Sequence, residues 1–184
     1  MGLLTFGLNV TLDGCIDHTQ GIVDDELHDY WTQLMDQSGA MLFGRNTYEL
    51  MEGAWPAVAR DPTAPRAMRE WAQKLEAKPK YVVSGTLTTP TWRNSESIGR
   101  YDPEAIRRLK DDIAGDLYVS GSGTLVRAML ADGLVDELHL FVYPLTRGEG
   151  PRLFPAYATP GKLSLAATEP YENGVVYLAY RPIR

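Results

Sequence analysis

Three short glycine turns are the parts of this sequence best suited to chemistry: Phe43-Gly44-Arg45, Ser84-Gly85-Thr86 and Ser120-Gly121-Ser122-Gly123. Each closes a run that reads as a strand, and the first and third lead straight into helical patterns. Glycine lets backbone approach a ligand closely, and a helix N-terminus adds unpaired N–H donors at the positive end of its dipole. In open α/β sheets ligands bind beyond the carboxyl ends of the strands, so three such turns together can cradle a pyrophosphate and a ribose phosphate. The same glycines also serve as ordinary element ends. Gly121-Ser122-Gly123-Thr124 stops short of G-x-G-x-x-G because Val126 holds the last place, and no P-loop pattern occurs.

The elements that must position these turns alternate along the chain. Leu3 to Val10 reads as a strand ending near the Asp13-Gly14 turn. Asp24 and Asp25 open a helix that carries Leu27, Tyr30, Trp31 and Leu34 at helical spacing. Ala40 to Phe43 reads as a buried strand, followed by a helix over about 47–51 and a Pro-, Gly- and Ala-rich loop over 53–65. A helix over Arg66 to Ala77, a strand at Tyr81 to Ser84 and an edge strand within Trp92 to Ile98 come next. Pro103 suits the first turn of a helix reaching about Ile113. A strand at Leu117 to Val119, a helix over Thr124 to Ala131 and strands near 135–143, 162–168 and 175–180 complete the pattern, with a hairpin turn at Glu172-Asn173-Gly174. This predicts an α/β fold of three layers around a mixed sheet with an antiparallel C-terminal hairpin.

Composition narrows the class. The chain has 184 residues, with 18 Lys and Arg against 24 Asp and Glu, a formal net charge of −6. That length suits one domain over 1–184, and the acidic balance lacks the basic footprint of a nucleic-acid binder. Three His and one Cys leave no disulfide framework and no cysteine zinc site. No apolar run approaches the ~20 residues of a membrane span, and no secretory leader is visible, so the expectation is a cytoplasmic protein without metal, membrane or nucleic-acid partners.

Several motifs together resemble a known family. Gly44-Arg45-Asn46-Thr47-Tyr48 matches the G-R-x-T-[YW] cofactor motif of the dihydrofolate reductase-like fold. Thr11-Leu12-Asp13-Gly14, Gly121 to Leu125, Leu134 to Leu138, Pro144, Gly148-x-Gly150, Leu153-Phe154, Gly174-Val175-Val176 and Tyr180-Arg181-Pro182 resemble the reductase domain of riboflavin biosynthesis. The resemblance spans about Leu4 to Pro182 and implies a dihydrofolate reductase-like sheet, mostly parallel, and an NADPH-dependent reductase acting on a C=N or C=O bond of a small heterocycle. Riboflavin-pathway reductases reduce 5-amino-6-(5-phosphoribosylamino)uracil. A dihydrofolate reductase in the strict sense and a non-catalytic NADPH-binding domain are the alternatives.

The resemblance also implies roles. Gly44, Arg45 and Thr47 lie where the NADPH phosphates bind, Ser84 near the adenosine ribose and its 2′-phosphate, and Gly121, Ser122, Gly123, Thr124 and Leu125 over the pyrophosphate. Arg45 has the planar donor fork that suits phosphate. Asp13, in the loop over the nicotinamide edge, and Glu26, in the place of the pterin-binding acid, are the candidate catalytic acids. Tyr30 and Trp55 are the candidate substrate contacts. The family also implies a homodimer, with Val175, Tyr177 and Ala179 of the C-terminal strands facing the partner. His139 reads as a packed or edge residue, and Glu149 stands where the loop commonly has a further glycine.

Overall fold

Strands that alternate with helices are joined by crossovers, which make neighbouring strands parallel. The computed structural model describes residues 2–16, 25–156, 158 and 160–183, without the side chains of 25–28. Its elements are β1 (Leu4–Thr11), α1 (Asp25–Gln37), β2 (Ser38–Gly44), α2 (Arg45–Arg60), α3 (Arg66–Ala77), β3 (Lys80–Val83) and β4 (Ser95–Ser97). They continue with α4 (Pro103–Asp112), β5 (Asp116–Ser120), α5 (Gly123–Ala131), β6 (Glu137–Tyr143), β7 (Leu163–Pro170) and β8 (Val176–Pro182). One sheet holds the strands in the order β4-β3-β2-β5-β1-β6-β8-β7. All pairings from β4 to β6 are parallel, as the resemblance implies; β8–β7 is the antiparallel hairpin that the sequence pattern predicts, and β6–β8 is antiparallel as well.

Side-chain alternation divides the core into two layers. Leu4, Phe6, Leu8 and Val10 of β1 pack with Leu117 and Val119 of β5 and Leu138 and Leu140 of β6 against Ile106 of α4 and Leu125, Val126 and Met129 of α5. The opposite face carries Met41, Phe43, Val82 and Tyr118 against Leu34 and Met35 of α1, Tyr48 of α2 and Leu75 of α3. Gly7 faces this second layer. A Cβ there would lie 2.5 Å from both Trp31 Cζ3 and the Tyr118 hydroxyl, so the absence of a side chain is what lets α1 sit down on the sheet. A half-buried pair fastens the first layer: Lys110 Nζ donates to Asp136 Oδ2 at 2.5 Å, and the same oxygen accepts from the Leu4 N–H at 2.8 Å.

Two expectations fail. The segment predicted as a loop over 53–65 is helical through Arg60, with Pro56 inside α2. Proline costs about 3 kcal/mol in a helix interior. Tertiary packing overrides it, since Trp55 meets Trp71 edge to face at 4.3 Å and presses α2 onto α3. The second correction concerns Val175, Tyr177 and Ala179, expected to face a partner. They are buried inside the chain in a cluster with Phe141, Tyr143 and Tyr171. The β6–β8 pairing turns this face toward α1, leaving the residues between them on the more open side.

Candidate cofactor and substrate site

The first and third glycine turns meet as the sequence suggests. β2 and β5 are neighbours, so Gly44 and Ser120–Ser122 emerge side by side at the carboxyl edge of the sheet. Gly121 and Ser122 have φ of 60° and 56°, the left-handed region that swings the chain from β5 into α5. The turns are interlocked. Gly44 N–H donates to Ser122 Oγ at 2.8 Å, while Ser122 N–H and Ser122 Oγ donate to Thr47 Oγ1 at 3.1 and 3.0 Å. A Cβ on Gly121 would lie 3.0 Å from Thr47 Cγ2, and one on Gly44 would lie 3.2 Å from Ser122 Oγ.

Neither helix start here is capped by its own preceding side chain: α2 begins after Gly44 and α5 after Ser122, both without a side-chain cap hydrogen bond. Their first turns line one cavity of about 590 Å³, together with Ile16, Val83, Tyr101, Arg127 and Pro151. That volume falls within the roughly 300–1,000 Å³ of small-molecule sites. Uncapped N–H groups of two helices converging on one cavity suit a polyanion. Arg45 stands at its rim, donating to Thr86 Oγ1 at 3.0 Å and lying 3.7 Å from Glu49 Oε1. Ser84 is buried, and its Oγ accepts from the N–H groups of Thr86 and Leu87 at 3.2 and 2.9 Å, so it shapes the turn after β3. Arg100 lies along Gly85, where a Cβ would come within 2.8 Å of its Cγ.

The two candidate acids differ in what is seen of them. Asp13 accepts from Thr11 Oγ1 at 2.5 Å, Gly148 N–H at 2.8 Å and Arg147 N–H at 3.2 Å. The Thr11 hydroxyl, then the Gly148 amide, hold its carboxyl well below the usual carboxylate range. An acid so held is ionised at neutral pH and ties the end of β1 to the 147–148 turn. Glu26 lies in α1, and its side chain is outside the described residues.

Tyr30, one turn further along α1, belongs to a polar group that no sequence motif announces. Its hydroxyl lies 2.9 Å from His139 Nδ1 and donates to the Tyr177 hydroxyl, which is itself 2.7 Å from the same nitrogen. His139 Nε2 faces Glu137 Oε2 at 3.4 Å, and Arg181 Nε donates to Glu137 Oε1 at 2.7 Å. Nδ1 is within hydrogen-bond distance of both tyrosine hydroxyls, whereas Nε2 is buried and meets Glu137 only as a charge neighbour. Burial lowers the His139 pKa against the opposing pull of Glu137, and burial with the Tyr177 hydroxyl raises that of Tyr30, so both are neutral near pH 7. Tyr30 also packs on Phe141, ring centroids 5.1 Å apart, beside Trp31. Trp55, expected at substrate, lies instead in the α2–α3 contact and donates from Nε1 to Met51 Sδ at 3.1 Å.

Sequence reasoning misses Arg127, Tyr101 and Ile16. Arg127 was open to discovery, because it lies one helical turn beyond Thr124 and bonds to its Oγ1 at 3.1 Å. The other two reach the cavity from elements distant in sequence.

The sheet order and this cradle define a dihydrofolate reductase-like domain. Dihydrofolate reductase from Enterococcus faecalis, complexed with NADP(H) and RAB-propyl, superposes with a TM-score of 0.64 at 16% identity, covering 100% of this chain and 98% of that one. The "Putative riboflavin biosynthesis protein" of Shewanella sp. PV-4 superposes with a TM-score of 0.72 at 21% identity, covering 99% of each chain. Within this class the chain belongs to the RibD C-terminal domain family, which matches residues 3–177. Among curated relatives, the uncharacterized protein YyaP of Bacillus subtilis (strain 168) is 29% identical over 178 residues, 94% of this chain and 91% of its own length.

Proposed function

We propose that this protein is an NADPH-dependent reductase of a C=N or C=O bond in a small heterocycle, similar to the pyrimidine reductase of riboflavin biosynthesis. The observation that carries the reading is the convergence of two uncapped helix N-termini on one cavity, locked by Thr47 and Ser122. Gly44, Arg45, Thr47 and Gly121 to Leu125 would hold the diphosphate of the dinucleotide. Arg45 and the Ser84 turn would meet the adenosine end. The dihydrofolate reductase complexed with NADP(H) in the same fold supports this choice of cofactor.

The chemistry such a cofactor supplies is a hydride, and the chain has to orient the acceptor and hold a proton for its heteroatom. Tyr30, whose hydroxyl donates to Tyr177 beside His139, would help to orient the acceptor. Asp13, being ionised, positions the 147–148 turn instead. Glu26 is the second candidate from α1.

Titration with NADPH and NADH, followed by tryptophan fluorescence, tests the reading. Tighter binding of NADPH, reduced in Arg45→Ala, is expected. Binding of neither nucleotide overturns the proposal, and equal affinities remove the role of Arg45 at the 2′-phosphate.

A homodimer remains part of the proposal, through a different surface from the one the sequence suggests. β7 is an edge strand exposed along all eight residues, with Leu163 and Leu165 open to solvent. Long exposed edges are templates for pairing, and a second copy would cover this one.

A further inference from the structure

Asn9 is an unexplained polar residue of the α1-covered face. By strand alternation it points the same way as Gly7, whose missing side chain faces Trp31 and Tyr118. Asn9 Oδ1 is buried and has no hydrogen-bond partner among the described residues. Leaving a buried carbonyl unpaired costs about 1–3 kcal/mol, which folds rarely tolerate without another use for the group.

The topology shows what adjoins it. On one side Asn9 is in register with Phe141 of β6, which is in turn opposite Tyr177 of β8. That side leads into the aromatic group of Tyr30, Trp31 and Phe141. On the other side β5 pairs with β1 only as far as Ser120 opposite Gly7. The chain then leaves the sheet through the Gly121–Ser122 turn. Asn9 thus stands two residues beyond the last β1–β5 pair, on the strand edge freed by β5 and level with the aromatic cluster on the other side.

We propose that Asn9 reads the substrate, its carboxamide pairing with a lactam edge, a ring N–H beside a ring C=O, of the heterocycle being reduced. The carboxamide has the complementary set: Oδ1 accepts from the ring N–H and Nδ2 donates to the ring carbonyl. The assignment rests on the reductase reading for the place of the substrate, and it names the edge by which that substrate is held.

Isothermal titration of the protein with diaminouracil and with its N,N′-dimethyl analogue, each with and without saturating NADP⁺, tests it. The ring N–H is expected to raise affinity about tenfold or more over the methylated ring, because a site built for a hydrogen bond rejects the partner lacking it. Asn9→Ala should erase that preference while NADP⁺ affinity stays the same. Its melting temperature should stay close to the parent, since Oδ1 has no hydrogen bond to lose among the described residues; Asn9→Ser gives the same comparison with a smaller cavity. Equal affinity for the two rings, no binding of either, a preference that survives both variants, or a large loss of stability in both would each overturn the assignment. Failure to bind NADP⁺ would instead overturn the reductase reading, leaving the ring preference to be read in its absence.

Discussion

Gly121→Ala probes the cradle most directly. At φ of 60° the left-handed conformation alone costs an alanine about 1–2 kcal/mol. Its Cβ would also come within 3.0 Å of Thr47 Cγ2 and 3.2 Å of Oγ1. Thr47 cannot turn aside freely, because its hydroxyl accepts from both Ser122 N–H and Ser122 Oγ. Losing one of these adds about 0.5–1.5 kcal/mol, for a total of about 2–4 kcal/mol with the residual crowding. At about 2–4 °C per kcal/mol for a chain of this size, the melting temperature should fall by about 4–16 °C. Gly133→Ala supplies the control, with φ of 66° and, among the described residues, no atom within 4 Å of the methyl group it would add. It should lose only the conformational part. Thr47→Ser in the Gly121→Ala background removes the crowding methyl, keeps the hydroxyl and should recover part of the loss. Urea denaturation gives the stabilities and calorimetry the NADPH affinity, which should weaken in Gly121→Ala alone. Equal losses at positions 121 and 133, with no rescue by serine, would refute the interlock.

Other predictions follow from the same structure. Lys110→Met takes a charged hydrogen-bond donor from the half-buried Asp136 carboxylate and should cost about 1.5–3 kcal/mol in urea denaturation; a loss below about 0.5 kcal/mol would show the pair to be dispensable. Burial holds the folded His139 pKa below its ordinary 6.5, so the unfolded chain binds more protons under acidic conditions. Stability should therefore decline as pH falls from about 6.5 through the folded pKa, and His139→Gln should flatten that part of the profile; an unchanged profile would contradict the burial argument. Sedimentation at micromolar concentration should show a dimer that Leu165→Glu splits, whereas a monomeric parent would refute the β7 interface. If dihydrofolate is turned over, Glu26→Gln should slow NADPH oxidation sharply, and indifference to that change would exclude the strict dihydrofolate reductase alternative.

Much of the architecture is legible in the sequence because local patterns carry it. Pro103 starts α4 after the Asp102 cap, and Gly174, at φ of 85°, turns β7 into β8 where the Glu172-Asn173-Gly174 signal lies. The loop predicted over 53–65 fails because Pro56 is a local signal, whereas the Trp55–Trp71 contact that overrides it joins two helices. Tyr177 is misplaced on an outer face because period-two alternation identifies two faces without saying which one meets a helix. His139 reads as a packed or edge residue, and the structure buries it. Its bonds to Tyr30 and Tyr177 join residues more than a hundred and nearly forty positions away, beyond the reach of any periodicity.

The sequence by itself determined the alternating elements and the glycine turns at strand ends, because backbone freedom and hydrophobic period are properties of neighbouring residues. Only the tertiary structure decided which turns share a cavity. The placing of β5 between β2 and β1 is a matter of chain crossover, and it brings Ser122 against Thr47 across 75 residues. It also ends β5 opposite Gly7, and so leaves Asn9 without a β5 partner. The polar residues of the site are joined by burial and distance, and those exist only once the sheet has formed.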